Sequence, residues 1–400
     1  MIYLDYPAST PLDPSVLAAM LPYFSEDFAN PHASQHEMGW RAEEAVFLAQ
    51  RQIAATIGAS PQEIIFTSGA TEANNLAIIG LFSGAGSLAQ SHESCEILLS
   101  GYEHDSVTEA AFFVAAQRRH LRVRSVFPAS TGLGSADGRI TPELLQQCLT
   151  PETKFVSIMA VQNEFGTVNP IKELGEFLHQ RGIIFHVDAA QALARIDLSQ
   201  CADFVDLLSF SAHKAYGPKG IGALYLNRNS GLNLQPIILG GGQQNQMRAG
   251  TIPVPLAVGF GKAATIAQQN FAEEEMRQRK LAHKLWQILS EALPDLAVNG
   301  VAMDRLSDAS SQRVAGILNL RFKGVAASDL LAHSARRLAM SSGSACHAAR
   351  QTPSPSLLAL GLTPQHALHS LRIGLGRTTS EADMIAAAAH IIASCQEIGA

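Results

Sequence analysis

Leu207-Leu-Ser-Phe-Ser-Ala-His-Lys-Ala-Tyr-Gly-Pro-Lys-Gly-Ile-Gly222 carries the strongest local signal in the chain. The apolar run from Phe204 to Phe210 reads as a short buried strand. It leads into Ser211, His213 and Lys214, then into a turn at Gly217-Pro218. A lysine at the mouth of a buried strand suits a Schiff-base nucleophile. Desolvation lowers the pKa of its amine, and a neighbouring hydroxyl and imidazole can hold an anionic cofactor. Taken alone, the same pattern also describes an ordinary surface lysine after a strand.

Working outward, the same grammar recurs. Glu63 to Asn75 reads as strand, tight glycine turn and helix start, where free amide N–H groups and the Thr71 hydroxyl form an anion cradle. The run Glu96 to Ser100 leads into His104 and a helix from Val107 to His120. Lys154 to Ala160 leads into Asn163, and a helix from Ile171 to Arg181 follows. Ile183 to Val187 ends at Asp188-Ala-Ala-Gln191. Alternating strands and helices over residues 60 to 225 predict a mostly parallel sheet with helices on both faces. Ligands gather at the carboxyl ends of such strands. Thr71, His104, Asn163, Asp188, Gln191, Ser211, His213 and Lys214 all follow predicted strands and so share one edge.

The flanking regions carry less chemistry. Met1 to Asp5 reads as a strand, and residues 11 to 57 as helix in two pieces broken at Ala29-Asn-Pro31. His32 and His36 stand four apart, but Trp40 occupies the place where a zinc-protease motif needs its second histidine, so no metal is expected. A glycine-rich loop, Leu239 to Thr251, precedes a helix from Val254 to Leu293. A second α+β region follows, with strands near Arg313 to Arg321 and His369 to Gly374 and a helix from Ser380 to Cys395.

With 400 residues, 47% of them hydrophobic, the chain is long enough for two domains. A net charge of −6 without basic runs argues against nucleic acid. No apolar run approaches the ~18 residues of a membrane span, and the N-terminus starts directly with the strand-like Met1 to Asp5 in place of a signal peptide, which points to the cytoplasm. Five scattered cysteines without a Cys-x-x-Cys pair argue against a disulfide framework and a zinc site.

The sequence resembles the cysteine desulfurases of the class V aminotransferase group, of the iron–sulfur-assembly type, nearly end to end. The likeness rests on Tyr3-Leu-Asp-Tyr, Thr67-Ser-Gly-Ala-Thr-Glu-Ala-Asn-Asn, Glu103-His104, Asn163-Glu-Phe-Gly, His186-Val-Asp-Ala-Ala-Gln191, Ser211-Ala-His-Lys214, Met247-Arg-Ala-Gly-Thr251, Ser341-Ser-Gly-Ser-Ala-Cys346 and Leu371-Arg-Ile-Gly-Leu-Gly-Arg377. It implies an α/β fold, the pyridoxal-phosphate transferase fold type I. That fold has a seven-stranded, mostly parallel sheet in a large domain (15–260) and a smaller α+β domain (1–14 with 261–400).

The resemblance also implies roles. Lys214 would carry pyridoxal 5'-phosphate and shuttle a proton, with His104 stacked on the ring as acid–base. Asp188 would face the pyridine nitrogen and Gln191 the ring oxygen. Ala70, Thr71, Ser211 and His213 would hold the phosphate, joined by Thr251 from the partner subunit of a homodimer. Asn163 and Arg372 would bind the substrate carboxylate. Cys346 would take sulfur from L-cysteine as a persulfide, leave L-alanine, and pass the sulfur to an iron–sulfur scaffold or a sulfur carrier. Rival readings are a selenocysteine lyase, another C–S lyase or aminotransferase, and an inactive scaffold subunit. The chain departs from the family pattern at Pro7-Ala-Ser-Thr, at Gln243-Gln-Asn-Gln, at Gln351-Thr, and in stopping at Ala400 without a longer tail.

Overall fold

A computed structural model describes residues 1–89, 93–128, 137–307, 312–343 and 352–399. The chain opens with β1 (Ile2–Tyr3), α1 (Pro14–Met20), α2 (Pro22–Ser25) and α3 (Glu37–Ala55). Then β2 (Ile64–Thr67), α4 (Ala70–Phe82), β3 (Cys95–Ser100), α5 (Asp105–Ala116), β4 (Leu121–Val126), α6 (Pro142–Cys148), β5 (Thr153–Ser157), α7 (Ile171–His179), β6 (Ile184–Asp188), β7 (Leu207–Ser211) and β8 (Gly222–Leu226) build the central sheet and its cover. That sheet has seven strands in the order β2-β8-β7-β6-β5-β3-β4. Only β8 runs against its neighbours, so the carboxyl ends of the other six share one edge.

Strict alternation along the strands separates two cores. Phe66, Leu98, Val156, Phe185, Leu208 and Phe210 face α3, α6, α7 and the first turns of α8 (Val254–Ala292). Ile65, Ile97, Leu99, Phe155 and Leu207 face α4 and α5. Both faces are therefore covered, which is why the strands read as continuous apolar runs.

Helix α8 is 39 residues long, about 58 Å at 1.5 Å per residue. Its start (Ala257, Phe260, Ala264) packs in the large core. Its end (Leu281, Ala282, Leu285, Leu289) packs in a third core built on a smaller sheet. The boundary expected at residue 260 thus falls inside one continuous helix. The smaller sheet has the order β12-β10-β9, with β9 (Ala297–Val298), β10 (Ile317–Arg321) and β12 (Ser370–Gly374) antiparallel. The C-terminal helix Glu381–Gly399 covers it. Leu4 belongs to this third core, β1 pairs with β11 (Leu338–Ala339), and Asp5 bridges Gly374. The chain therefore starts in the small unit and crosses at once to the large one.

One expectation shifts. The helix read to His120 ends at Ala116, and residues 121–126 form β4, an edge strand. Its exposed Arg122 and Arg124 hid the strand period and protect the edge from further pairing. The departure at Gln243-Gln-Asn-Gln has a structural role. Gln244 pairs with the free edge of β2, its Oε1 accepting from Phe66 N–H at 2.7 Å and its Nε2 donating to Phe66 C=O at 2.9 Å. Gln244, Asn245 and Gln246 hold successive left-handed φ of 51°, 55° and 66°. Such a run of non-glycine residues is strained and persists only where its surroundings over-determine it. Here Gln243 Oε1 accepts from Gly250 N–H, and Arg248 pairs with Glu72 at 2.9 Å.

Candidate active site

The shared edge opens into a cavity of about 440 Å³. Ala70, Thr71, His104, Asn163, Asp188, Gln191, Ser211, His213, Lys214 and Arg372 all line it. Thr251 is exposed and lies outside this lining. Cys346 lies outside the described residues.

Lys214 closes a single 3-10 turn, Ala212–Lys214, directly after β7. The N-terminal segment straps that turn down: Thr10 donates to the His213 carbonyl from both N–H and Oγ1 at 2.9 Å, and Thr10 Oγ1 accepts from Tyr216 N–H at 2.8 Å. Tyr216 sits at φ 61°, costly for a bulky side chain. Its hydroxyl accepts from Arg377 N–H at 2.6 Å, and the Arg377 guanidinium lies 4.1 Å over its ring. These contacts fix the chain two residues beyond Lys214. Gly222 is required alongside, since a Cβ there would lie 2.6 Å from Gly69 Cα.

Electrostatics favour a reactive amine. Burial pushes the Lys214 pKa down to about 8, with Arg372 and Arg195 adding to the effect and Asp188 opposing it. Capture of an aldehyde needs the neutral amine. Its rate on cofactor-free protein should therefore rise with pH and level off above a midpoint near 8. Stopped-flow absorbance checks this, and a midpoint near the 10.5 of a free lysine would contradict it. His213 is pushed down to about 4 by burial, then by Lys214 and Lys219, so it is neutral at pH 7. Its Nδ1 lies 3.2 Å from Ser9 Oγ.

Asp188 ends β6 with both oxygens engaged: Oδ1 accepts from Ala190 N–H at 2.9 Å and Oδ2 from Asn74 Nδ2 at 2.8 Å. Two residues earlier, His186 is buried between Ser157 and Ser209 and pushed down to about 4 by burial. Burial also raises Glu103 to about 8; Ser100 opposes this and Asp188 adds to it. Glu103 Oε1 accepts from Met159 N–H at 2.8 Å and from the Ser100 hydroxyl.

Arg372 donates from Nη2 to Asp5 Oδ1 and from Nη1 to the Asn163 carbonyl, each at 2.9 Å. Its Nε is buried without a partner among the described residues, as is Gln191 Oε1. Gln191 Nε2 donates to the Pro7 carbonyl at 2.8 Å. Unsatisfied buried groups around a cavity mark where a polar ligand would bind.

The sequence reading missed Asp5, Asn74, Ser106 and Tyr216. A signal existed for Asn74: it stands among Ala73, Leu76 and Ala77 on the buried side of α4. A polar group there needs a partner.

The chain matches the Aminotransferase class-V family over residues 2–386. It is 41% identical over 385 residues to "Cysteine desulfurase IscS" of Rickettsia bellii, covering 96% of this chain and 88% of that one. Among solved structures it is similar to a NifS-like protein (TM-score 0.86, 27% identity, 99% of both chains). It is also similar to SspA in complex with cysteine (TM-score 0.77, 34% identity, 94% and 99% covered). With this fold and at this level of identity, the chain belongs to the class-V aminotransferase family and, within it, to the cysteine desulfurases.

Proposed function

We propose that this cysteine desulfurase holds pyridoxal 5'-phosphate on Lys214, takes sulfur from L-cysteine onto Cys346, and releases L-alanine. The observation that carries the site assignment is the convergence of a buried, low-pKa amine, a carboxylate with both oxygens hydrogen-bonded and an arginine Nε without a partner among the described residues in one cavity.

The residues present fit the cofactor. The first amides of α4, at Ala70 and Thr71, have no intrahelical acceptor and suit a phosphate, with Ser211 and the neutral His213 beside them. Asp188 suits a protonated ring nitrogen, and Gln191, with a second amide hydrogen, suits the ring oxygen. When bound, the cofactor supplies an electron sink that loosens bonds at the substrate's α-carbon.

The chain's own groups supply the rest. The Arg372 Nε–H, without a partner among the described residues, suits a carboxylate, on a guanidinium held in place by Asp5 and Asn163. The Lys214 amine, near half-neutral at pH 8, can take and return a proton. The Cys346 thiolate attacks the substrate sulfur. An S–S bond forms as the Cβ–S bond breaks, and the electron pair left on carbon is protonated to the methyl group of alanine. Ser341 pairs with Arg372 through both backbone groups. Cys346 follows five residues later, and five residues of chain span at most about 18 Å.

The persulfide then passes to an acceptor, an iron–sulfur scaffold or a sulfur-carrier protein. The same proposal makes the enzyme a cytoplasmic homodimer, with Thr251 completing the partner subunit's phosphate site. Among the described residues no helix is long and apolar enough to cross a membrane. Purified protein should be yellow and should convert L-cysteine to equal amounts of alanine and, under reductant, sulfide. Pyruvate and ammonia in place of alanine would mark a C–S lyase, and colourless protein that rejects the cofactor would overturn the assignment.

A further inference from the structure

Asp188 and His104, on different strands' ends, are joined by two side chains that have no part in the chemistry above. Asn74, one turn into α4, is fully buried. Its Nδ2 donates to Asp188 Oδ2 at 2.8 Å and to Ser106 Oγ at 2.9 Å. Ser106 Oγ lies 2.8 Å from His104 Nδ1, and the Ser106 N–H donates to that same nitrogen at 3.1 Å.

The directions of these bonds follow from what each group can do. An amide NH2 only donates, so the Ser106 oxygen accepts from Asn74. A hydroxyl has one proton, and the neighbour left for it is His104 Nδ1. A backbone N–H also only donates. Nδ1 therefore faces two donors and must offer its lone pair. A neutral imidazole with an accepting Nδ1 carries its proton on Nε2.

We propose that Asn74 and Ser106 are positioning residues that hold His104 with Nδ1 as acceptor, so that Nε2–H faces the cavity, and that couple this choice to Asp188. His104 then meets substrate or cofactor as a hydrogen-bond and proton donor, not as a base. Asn74 keeps this place although its Oδ1 is buried without a partner among the described residues, which is unfavourable. Leucine would fill the same space with no donor, and aspartate would set a second carboxylate against Asp188. Only an amide of this size serves both neighbours.

The proposal rests on the site assignment above, but its readout does not, because the tautomer can be observed with or without cofactor. Nitrogen-15 NMR of protein labelled in the histidine rings gives it, with His104→Gln identifying the signal among 14 histidines. At a pH where the ring is neutral, the expected pattern is a protonated Nε2 and a bare Nδ1, in both the cofactor-free and the loaded protein. Ser106→Ala should lower the ratio of Nε2–H to Nδ1–H about fivefold to tenfold, the worth of one hydrogen bond, and Ser106→Thr should restore it. Asn74→Ala should move the same resonances in the same direction, because the Ser106 hydroxyl is then free to turn. A wild-type ring protonated on Nδ1 would overturn the proposal. Spectra of Ser106→Ala and Asn74→Ala superimposable on wild type would do the same. A tautomer as expected in a protein that makes no alanine would sink the desulfurase chemistry alone.

Discussion

Lys214→Ala should abolish alanine formation, lowering turnover by about 10⁴-fold or more, in a protein that still folds and still binds the cofactor without covalent attachment. The fold should survive because the lysine does not hold it together. Burial disfavours its charged form, pushing the pKa down to about 8, so removing the amine relieves a cost. The turn is held instead by Thr10, Tyr216 and Arg377. Borohydride should fix the cofactor to wild type and not to the variant, and a small primary amine added to the variant should restore part of the activity. Cofactor fixed covalently to Lys214→Ala would mean that another amine does this work.

Cys346→Ala should keep the visible band of the bound cofactor and its response to L-cysteine, yet lose both alanine and sulfide by about 10³-fold or more. The other cysteines explain why no substitute is expected. Cys95, Cys201 and Cys395 are buried, and burial pushes Cys201 up to about 12, Cys395 up to about 11, and Cys95 upward. Cys148 is half-buried, also shifted upward by burial, and sits at the end of α6. None of these four lines the cavity. At neutral pH they stay as thiols, which are poor nucleophiles. Sulfide from Cys346→Ala at the wild-type rate would move the sulfur-accepting step to a different group.

Much of the fold was legible because strands buried on both faces leave long apolar runs, and because each ends in a polar group that a soluble interior would otherwise exclude. Lys214, Asp188, His104 and Thr71 announced themselves in this way. Helix α8 was legible nearly end to end, read as Val254 to Leu293 and found as Val254–Ala292. Strand β4 was not, since its Arg122 and Arg124 break the apolar run at the sheet's edge. The supporting groups were hidden for another reason. Asn74 meets Asp188 across 114 positions of sequence and Asp5 meets Arg372 across 367. No local pattern records such pairs. Tyr216 in its left-handed conformation was hidden too, because nothing in its type suggests that φ.

The strap formed by the first ten residues sets an order of events during synthesis. Ile2 pairs with Leu338, Asp5 with Arg372 and Gly374, and Thr10 with the Lys214 turn. The ribosome makes this strap first and its outermost partners last. At cellular elongation rates the two are separated by on the order of tens of seconds. During that interval Thr10 can already hold the lysine turn, but Arg377, which fixes Tyr216, and Arg372 are still missing. The pocket is complete only once nearly the whole polypeptide has emerged, and its Arg372 wall is the last part to be built.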